Sequence, residues 1–186
     1  MKHFQWTFDR NRQVAWLLDD PTRADGASLS WWHFRKGAPL TIDGALRLSV
    51  KQVGELVDAS FSVGDVLCLS ERLGHAMQAL ALDQLQLIPA CLEGGYELFV
   101  ANLLKEVDCV DEARSAFTKW AGGSSVRPDK AGEYRSMMRL HVDAQAAGQL
   151  DIFVPRGWRV AIIVSERMRA CIERVGSRGT EFVAVN

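Results

Sequence analysis

The sequence predicts a mixed α/β (α+β) fold in which a single, largely antiparallel sheet carries two similar strand–helix–strand units and a β-rich N-terminal layer. Three observations lead to this prediction. Apolar residues alternate at a period of two through much of the first 60 residues, as they do in half-buried strands. Two apolar runs further on are each followed by an amphipathic helical pattern. The length of 186 residues and the 48% hydrophobic content suit a single domain covering residues 1–186.

Residues 1–60 are predicted to form strands joined by turns. Residues 4–8 alternate, residues 9–11 supply a turn, and residues 14–18 are expected to return as the second strand of a hairpin. Strands are also predicted around residues 31–34 and 46–50. No long helix is expected in this N-terminal layer.

The period of the apolar residues changes after Gly64. A helix is predicted to begin after Ser70 and a second one after Ser165, because apolar residues then recur at helical spacing. The clearest loop spans residues 121–132, which are rich in glycine and serine. The remaining predictions are strands over 66–69, 85–88 (ending at Pro89), 96–110 (broken near 101–102), 134–142, 151–154, 161–164 and 181–185.

An internal repeat joins the two helical units. Residues 66–73, Val-Leu-Cys-Leu-Ser-Glu-Arg-Leu, align without a gap to residues 161–168, Ala-Ile-Ile-Val-Ser-Glu-Arg-Met. Serine is a preferred helix N-cap, and a glutamate after it suits the positive end of the helix dipole. We therefore interpret Ser70 and Ser165 as helix caps, since no Gly-x-Ser-x-Gly nucleophile elbow surrounds either serine.

Composition narrows the classes of partner and cofactor. The formal net charge is −1, so no overall positive field favours nucleic acid. No apolar run is long enough for a signal peptide or a membrane span, and a cytoplasmic protein is expected. The four cysteines are far apart, which indicates reduced core thiols and predicts neither a metal site nor a cofactor.

A tryptophan pair gives the first candidate contact for a protein partner. Trp31 and Trp32 would point to opposite faces of a strand, so one of them is expected to be exposed beside Arg35. Tryptophan and arginine are enriched at binding hot spots.

Two oppositely charged segments give the other candidates. Residues 93–112 hold six acidic residues and one lysine, and residues 156–178 hold six arginines and two glutamates. The segments either pair with each other or form a polarised surface that steers a charged partner. For the second alternative, the candidate contacts to a partner are Asp108 and Asp111 on the acidic side, although both aspartates could instead cap the segment that follows them. On the basic side they are Arg167 and Arg174, which are seven residues apart on one helix face.

The order of motifs in residues 65–186 resembles a known family. It runs from Leu69-Ser70-Glu71-Arg72 through Leu87-Ile88-Pro89 and Val107-Asp108-Cys109-Val110-Asp111 to Ile163-Val164-Ser165-Glu166-Arg167. This order resembles the bacterial immunity-protein-like family, a domain-of-unknown-function family associated with polymorphic toxin systems. Residues 61–186 would form the immunity-like core, and residues 1–60, which match weakly, would be the variable layer in which partner choice resides.

The resemblance implies a non-catalytic protein that binds and neutralises a cognate toxin or secreted effector in a stoichiometric complex. It supplies no catalytic residues. One alternative is a cytosolic regulator that holds a secreted protease before export. A second is a hydrolase that uses Ser165 or Ser70 with a distant histidine, and a third is an oligomerisation module.

Overall fold

The structure is a computed structural model that describes residues 1–8, 15–122 and 128–186. The helices are α1 (Glu71–Leu80), α2 (Ala144–Ala147) and α3 (Glu166–Arg174), with 3₁₀ turns at Trp31–Phe34 and Pro128–Lys130. The strands are β1 (His3–Phe8), β2 (Leu17–Leu18), β3 (Leu46–Leu48), β4 (Val50–Gln52), β5 (Ala59–Phe61), β6 (Leu67–Ser70), β7 (Leu85–Leu92), β8 (Glu97–Leu103), β9 (Glu106–Val107), β10 (Ala116–Lys119), β11 (Tyr134–Arg139), β12 (Ile152–Pro155), β13 (Ile162–Ser165) and β14 (Thr180–Ala184).

The mixed α+β class is confirmed. The predicted single sheet is wrong, because the strands form several sheets. The first sheet has the strand order β3-β7-β8-β6-β5, and the second sheet has the order β14-β1-β13-β12-β9. Two further pairs, β2-β4 and β10-β11, are separate. The difference arises because each repeat unit builds a sheet of its own.

The N-terminal strand shows why the predicted hairpin is also wrong. β1 lies inside the second sheet, antiparallel to β13 on one side and to β14 on the other. The expected return strand β2 pairs with β4 instead, and the predicted turn lies outside the described residues. Residues 3–8 therefore belong to the second sheet, and not to an N-terminal layer.

The internal repeat is visible in three dimensions, as a circularly permuted pair of units. In the first unit β6 pairs with β5 and β8, and β8 pairs with β7. In the second unit β13 pairs with β12 and β1, and β1 pairs with β14. All these pairings are antiparallel, so β1 occupies in the second sheet the place that β8 has in the first.

The two main helices meet at equivalent points of the repeat. The Cys171 thiol lies 3.5 Å from the carbonyl oxygen of Ala76, and these two residues are 95 positions apart, the same offset as the aligned motifs. Leu73 and Met77 of α1, and Met168 and Ile172 of α3, are fully buried in one core cluster. That cluster also takes side chains from both sheets, so the two units share a hydrophobic core.

Outer layers cover the opposite faces of the two sheets. Residues 15–57 contribute to a second cluster over the first sheet, with Trp16, Phe34, Leu46 and Val100 among its members. Segment 109–147 contributes to a third cluster over the second sheet, around Phe153 and Ile163. Each sheet is therefore packed on both faces.

Several strand limits and one cysteine differ from expectation. β7 continues through Pro89, although proline has no N–H to donate to a neighbouring strand. This is tolerated because β3, the neighbour of β7 on one side, pairs only with residues 90–92. The long strand over 96–110 is divided after Leu103, and β10 was not predicted. Part of loop 121–132 lies outside the described residues. Cys91 is exposed, because it alternates with exposed Pro89 on an uncovered part of β7.

Candidate protein-binding surface

The tryptophan pair lies on a 3₁₀ turn, not on the predicted strand. Ser30 and His33 close the turn, because the Ser30 N–H donates to His33 Nδ1 at 3.1 Å and the His33 N–H donates to the Ser30 carbonyl at 3.0 Å. The Trp32 side chain is 48% exposed and stacks on the His33 ring with centroids 5.5 Å apart. Trp32 is thus an exposed aromatic residue on a closed turn.

Arg35 is buried, contrary to the expectation of an exposed contact residue. Its Nη1 donates to the Val160 carbonyl at 2.7 Å, and its Nη2 donates to the Asp65 carbonyl at 2.6 Å. The guanidinium also lies 5.3 Å from the Trp31 ring centroid. Burial lowers the pKa of Arg35 to about 10, and the charge of Asp65 opposes that effect. Arg35 is therefore a charged internal link that is not accessible to a partner.

Asp111 acts locally, whereas Asp108 faces solvent. Oδ1 of Asp111 accepts hydrogen bonds from the N–H groups of Ala113 and Arg114, at 3.1 and 3.2 Å. This is a turn cap, one of the two alternatives that the sequence left open. Asp108 is exposed beside the buried Cys109 and has no ion pair in the part of the chain that the structure describes.

Arg167 and Arg174 differ in their surroundings. Arg167 forms a two-point ion pair with Asp151, a carboxylate whose side chain is only 1% exposed. Arg174 is exposed and has no ion pair among residues 1–8, 15–122 and 128–186. Only Arg174 therefore offers an uncommitted cation on this helix.

The carboxylate that holds Arg167 also binds the cap serine. Ser165 Oγ donates to Asp151 Oδ1 at 2.5 Å and accepts from the Met168 N–H at 3.1 Å. We call this group of Asp151, Ser165 and Arg167 the second clasp. Ser165 is completely buried, and its hydroxyl both holds the Asp151 carboxylate and caps α3, so its role in this structure is structural.

An equivalent group in the other repeat unit forms the first clasp, which consists of Asp58, Ser70 and Arg72. Ser70 Oγ donates to Asp58 Oδ1 at 3.0 Å and accepts from the Leu73 N–H at 3.3 Å, while Arg72 donates to Asp58 at 2.8 Å. Burial acts to raise the pKa of Asp58, but the hydrogen bonds from Arg72, Ser70 and the Arg178 N–H outweigh it, and the pKa is lowered. The serine of each motif has the same structural task.

The two charged segments contact each other at one described ion pair. Arg159 donates to both carboxylate oxygens of Glu106, at 2.9 and 2.8 Å. Other members use different partners, as Arg178 does with Glu55 at 3.8 Å. Internal pairing of the two segments is therefore confirmed for Arg159 with Glu106, and steering of a partner by exposed charges such as Arg174 stays a prediction.

A groove separates β1 from the end of β5. It encloses about 490 Å³ and is lined by Trp6, Phe8, Phe61, Val63 and Val160 with Arg35. The buried indole Nε1–H of Trp6 has no hydrogen-bond partner. Two other surface cavities are smaller, at about 340 and 230 Å³.

No candidate metal site is present among the described residues. None of their His, Cys, Asp and Glu side chains form a group of three or more that could hold a metal ion.

Within the described ranges, the helices are all too short or too polar to cross a membrane.

These features define a mixed α+β protein of two related halves whose cap serines are engaged in structural hydrogen bonds. Residues 37–186 match the model of the Immunity protein family (Imm11), and the chain belongs to this family. The family resemblance of the sequence is confirmed, and membership indicates a toxin-neutralising role. No curated protein matches the chain. Trp31, Trp32 and Arg35 precede the matched residues.

Sequence reasoning missed one exposed element, the antiparallel pair of β10 and β11. Residues 134–142 were predicted as an ordinary strand, and residues 116–119 were given no strand. The signal was present in Tyr-Arg-Ser-Met-Met-Arg, residues 134–139, where two adjacent methionines break the alternation expected of a regular strand.

Proposed function

We propose that this protein is an immunity protein that binds a cognate toxin or secreted effector in a stoichiometric complex and thereby neutralises it. The observation that carries the proposal is the match of residues 37–186, most of the chain, to the Immunity protein family. A cytoplasmic location follows as part of the proposal, because neutralisation there protects the cell that makes the toxin.

The chemistry of the two serines supports binding over catalysis. A nucleophilic serine needs an adjacent general base and access to substrate. Ser165 is buried and donates to Asp151, and Ser70 donates to Asp58. Both hydroxyls also cap helices. In both positions the hydroxyl oxygen is already engaged in a helix cap, and Ser165 is closed to any substrate.

The exposed groups supply the kind of surface that binding needs. Trp32 is held on a closed turn, and Arg174 and Asp108 are charged and exposed. An aromatic residue on a rigid turn loses little conformational entropy on association. In the alternative function, the protein would hold a secreted protease before export. It would bind in the same way, and only the partner would differ.

Co-expression tests the proposal. Any toxin encoded by a gene adjacent to that of this chain is expressed from an inducible promoter, with and without the chain in the same cells. We expect growth to stop with the toxin alone and to resume with the chain. A double Ser70→Ala, Ser165→Ala variant that still folds is expected to protect as well as the wild type. Loss of protection by that folded variant would favour the hydrolase alternative.

A further inference from the structure

The pair of β10 and β11, which we call the ribbon, contacts the rest of the molecule along its length. Met137 packs against the third core cluster, and Tyr134 lies against Gly157. The Tyr134 hydroxyl and the Lys119 ammonium both donate to Glu112, at 2.7 and 2.6 Å. An isolated two-stranded hairpin is marginally stable in water, so these contacts explain how the ribbon keeps its shape.

Two register shifts interrupt the ribbon within six residues. Ala116 pairs with Arg139 and Phe117 with Met137, so Met138 is skipped. Thr118 then pairs with Ser136 and Lys119 with Tyr134, so Arg135 is skipped. Such β-bulges re-aim side chains and are common beside functional sites.

Both skipped residues are exposed. The Met138 side chain is 77% exposed, which is high for a large apolar residue, and Arg135 is exposed as well. Three strand positions separate the two residues, or about 10 Å at the usual rise of a strand. A single interface of ordinary size can cover both, since such interfaces bury roughly 800 Å² on each partner.

The charge of the ribbon indicates the chemistry of its partner. Arg135 contacts the Trp120 ring at 5.1 Å and has no carboxylate partner among the described residues, and neither have the exposed Arg139 and the partly buried Lys130. Glu133 is exposed and forms no ion pair with these cations within the described ranges. The exposed cations beside Met138 therefore favour an acidic surface.

We propose that the ribbon is the partner-binding arm of this protein, and that Arg135 and Met138 contact a protein surface in which carboxylates surround an apolar recess. Methionine and arginine are both enriched in interface cores. The proposal rests on the proposed function, since it takes the toxin as the occupant. It places the main contact within the family-matched region and away from the N-terminal layer.

The test measures binding of the purified toxin domain by calorimetry to wild type, Arg135→Glu and Met138→Ser. The matched controls are Arg23→Glu, an exposed arginine of the N-terminal layer, and Leu82→Ser, whose side chain is 75% exposed. We expect Kd to rise about tenfold or more for each ribbon variant, the size of a hot-spot loss. The controls are expected to stay within about twofold of wild type, as residues outside the interface do.

The outcomes separate the two proposals. If both ribbon variants bind the toxin with wild-type affinity and still neutralise it, the proposal that the ribbon is the binding arm is overturned. The proposed immunity function would then be unaffected. Absence of binding by wild type would overturn both. Binding of a 20-base-pair DNA duplex that Arg135→Glu abolishes, with toxin affinity unchanged, would make the ribbon a nucleic-acid contact and overturn the acidic-protein partner. Thermal unfolding followed by circular dichroism checks that each variant is folded.

Discussion

Arg35 links the two halves of the molecule at the scale of a single residue. Its guanidinium donates to the Asp65 carbonyl beside the first sheet and to the Arg159 and Val160 carbonyls beside the second. The charge is retained at neutral pH, since the lowered pKa of about 10 is still well above it. A residue that resembles a surface hot spot in the sequence thus has an internal role.

Replacing Arg35 by methionine removes the three hydrogen bonds that the buried guanidinium donates to main-chain carbonyls. We expect the free energy of unfolding to fall by about 2–3 kcal/mol, roughly what hydrogen bonds from a charged group contribute. Urea denaturation measures this change. Arg23→Met is the control, because Arg23 is exposed. A change in Arg35→Met no larger than in the control would contradict the internal role.

His3 gives the molecule a pH-dependent stability. The ring is buried, and its Nδ1 lies 3.0 Å from the Asn186 side-chain nitrogen. Burial first, and then the charge of the N-terminus, lower the pKa of His3, while Asp151 acts to raise it. The unfolded chain binds a proton near the ordinary value of about 6.5, so the unfolded state gains the proton first as pH falls.

We therefore expect the free energy of unfolding to decrease as pH falls from about 7 to about 5, because the proton binds preferentially to unfolded chain. His3→Asn is expected to make this decrease smaller, whatever its effect at pH 7. Urea denaturation at several pH values measures it, with the exposed His75→Asn as the control. An unchanged pH dependence in His3→Asn would refute the assignment.

The clasps show, at the scale of secondary-structure elements, how one motif begins two helices. Each joins the residue before a strand, Asp58 or Asp151, to the N-cap of the following helix. The clasps differ in burial, since Ser165 is fully buried and Ser70 is partly accessible. The two cap serines therefore allow the effect of burial on one motif to be compared within the same protein.

Ser70→Ala should cost about 1 kcal/mol, the usual loss for an N-cap. Ser165→Ala should cost more, about 2 kcal/mol, because the carboxylate that loses its hydrogen bond, Asp151, is only 1% exposed, whereas Asp58 is 11% exposed. Chemical denaturation of both variants measures the two losses. Equal losses, or a larger one for Ser70→Ala, would show that burial does not distinguish the clasps.

Local patterns predicted the helices but not the sheets. The apolar stripes and the Ser-Glu-Arg motifs are short-range signals, and both helices begin where these signals place them. Sheet membership depends on pairing between distant residues, such as His3 with Ser165, and alternation alone cannot choose the partner strand. The same limit hid the ribbon, whose bulges appear only once β10 and β11 are paired.

The whole molecule depends on a strand that lies outside the family match. In the second sheet, β1 fills the position that β8 has in the first sheet. β1 nevertheless lies before the family-matched region, which begins at residue 37. Trp6 and Phe4 of β1 belong to the central core cluster. The matched residues alone therefore lack an interior strand and part of the shared core.

A chain of residues 37–186 is expected not to unfold cooperatively, because β13 and β14 would lose the strand between them. Circular dichroism during heating measures this, with the full chain as the reference. A cooperative transition near that of the full chain would show that β1 is dispensable.

Stoichiometric capture of a toxin is the central claim, and a calorimetric titration of the purified neighbouring toxin with the full chain tests it most directly. The account predicts a single transition at one toxin per chain, loss of toxin activity at the same ratio, and weaker binding as salt screens the charged surfaces. Absence of measurable heat and of a complex at low salt, with toxin activity unchanged, would contradict it.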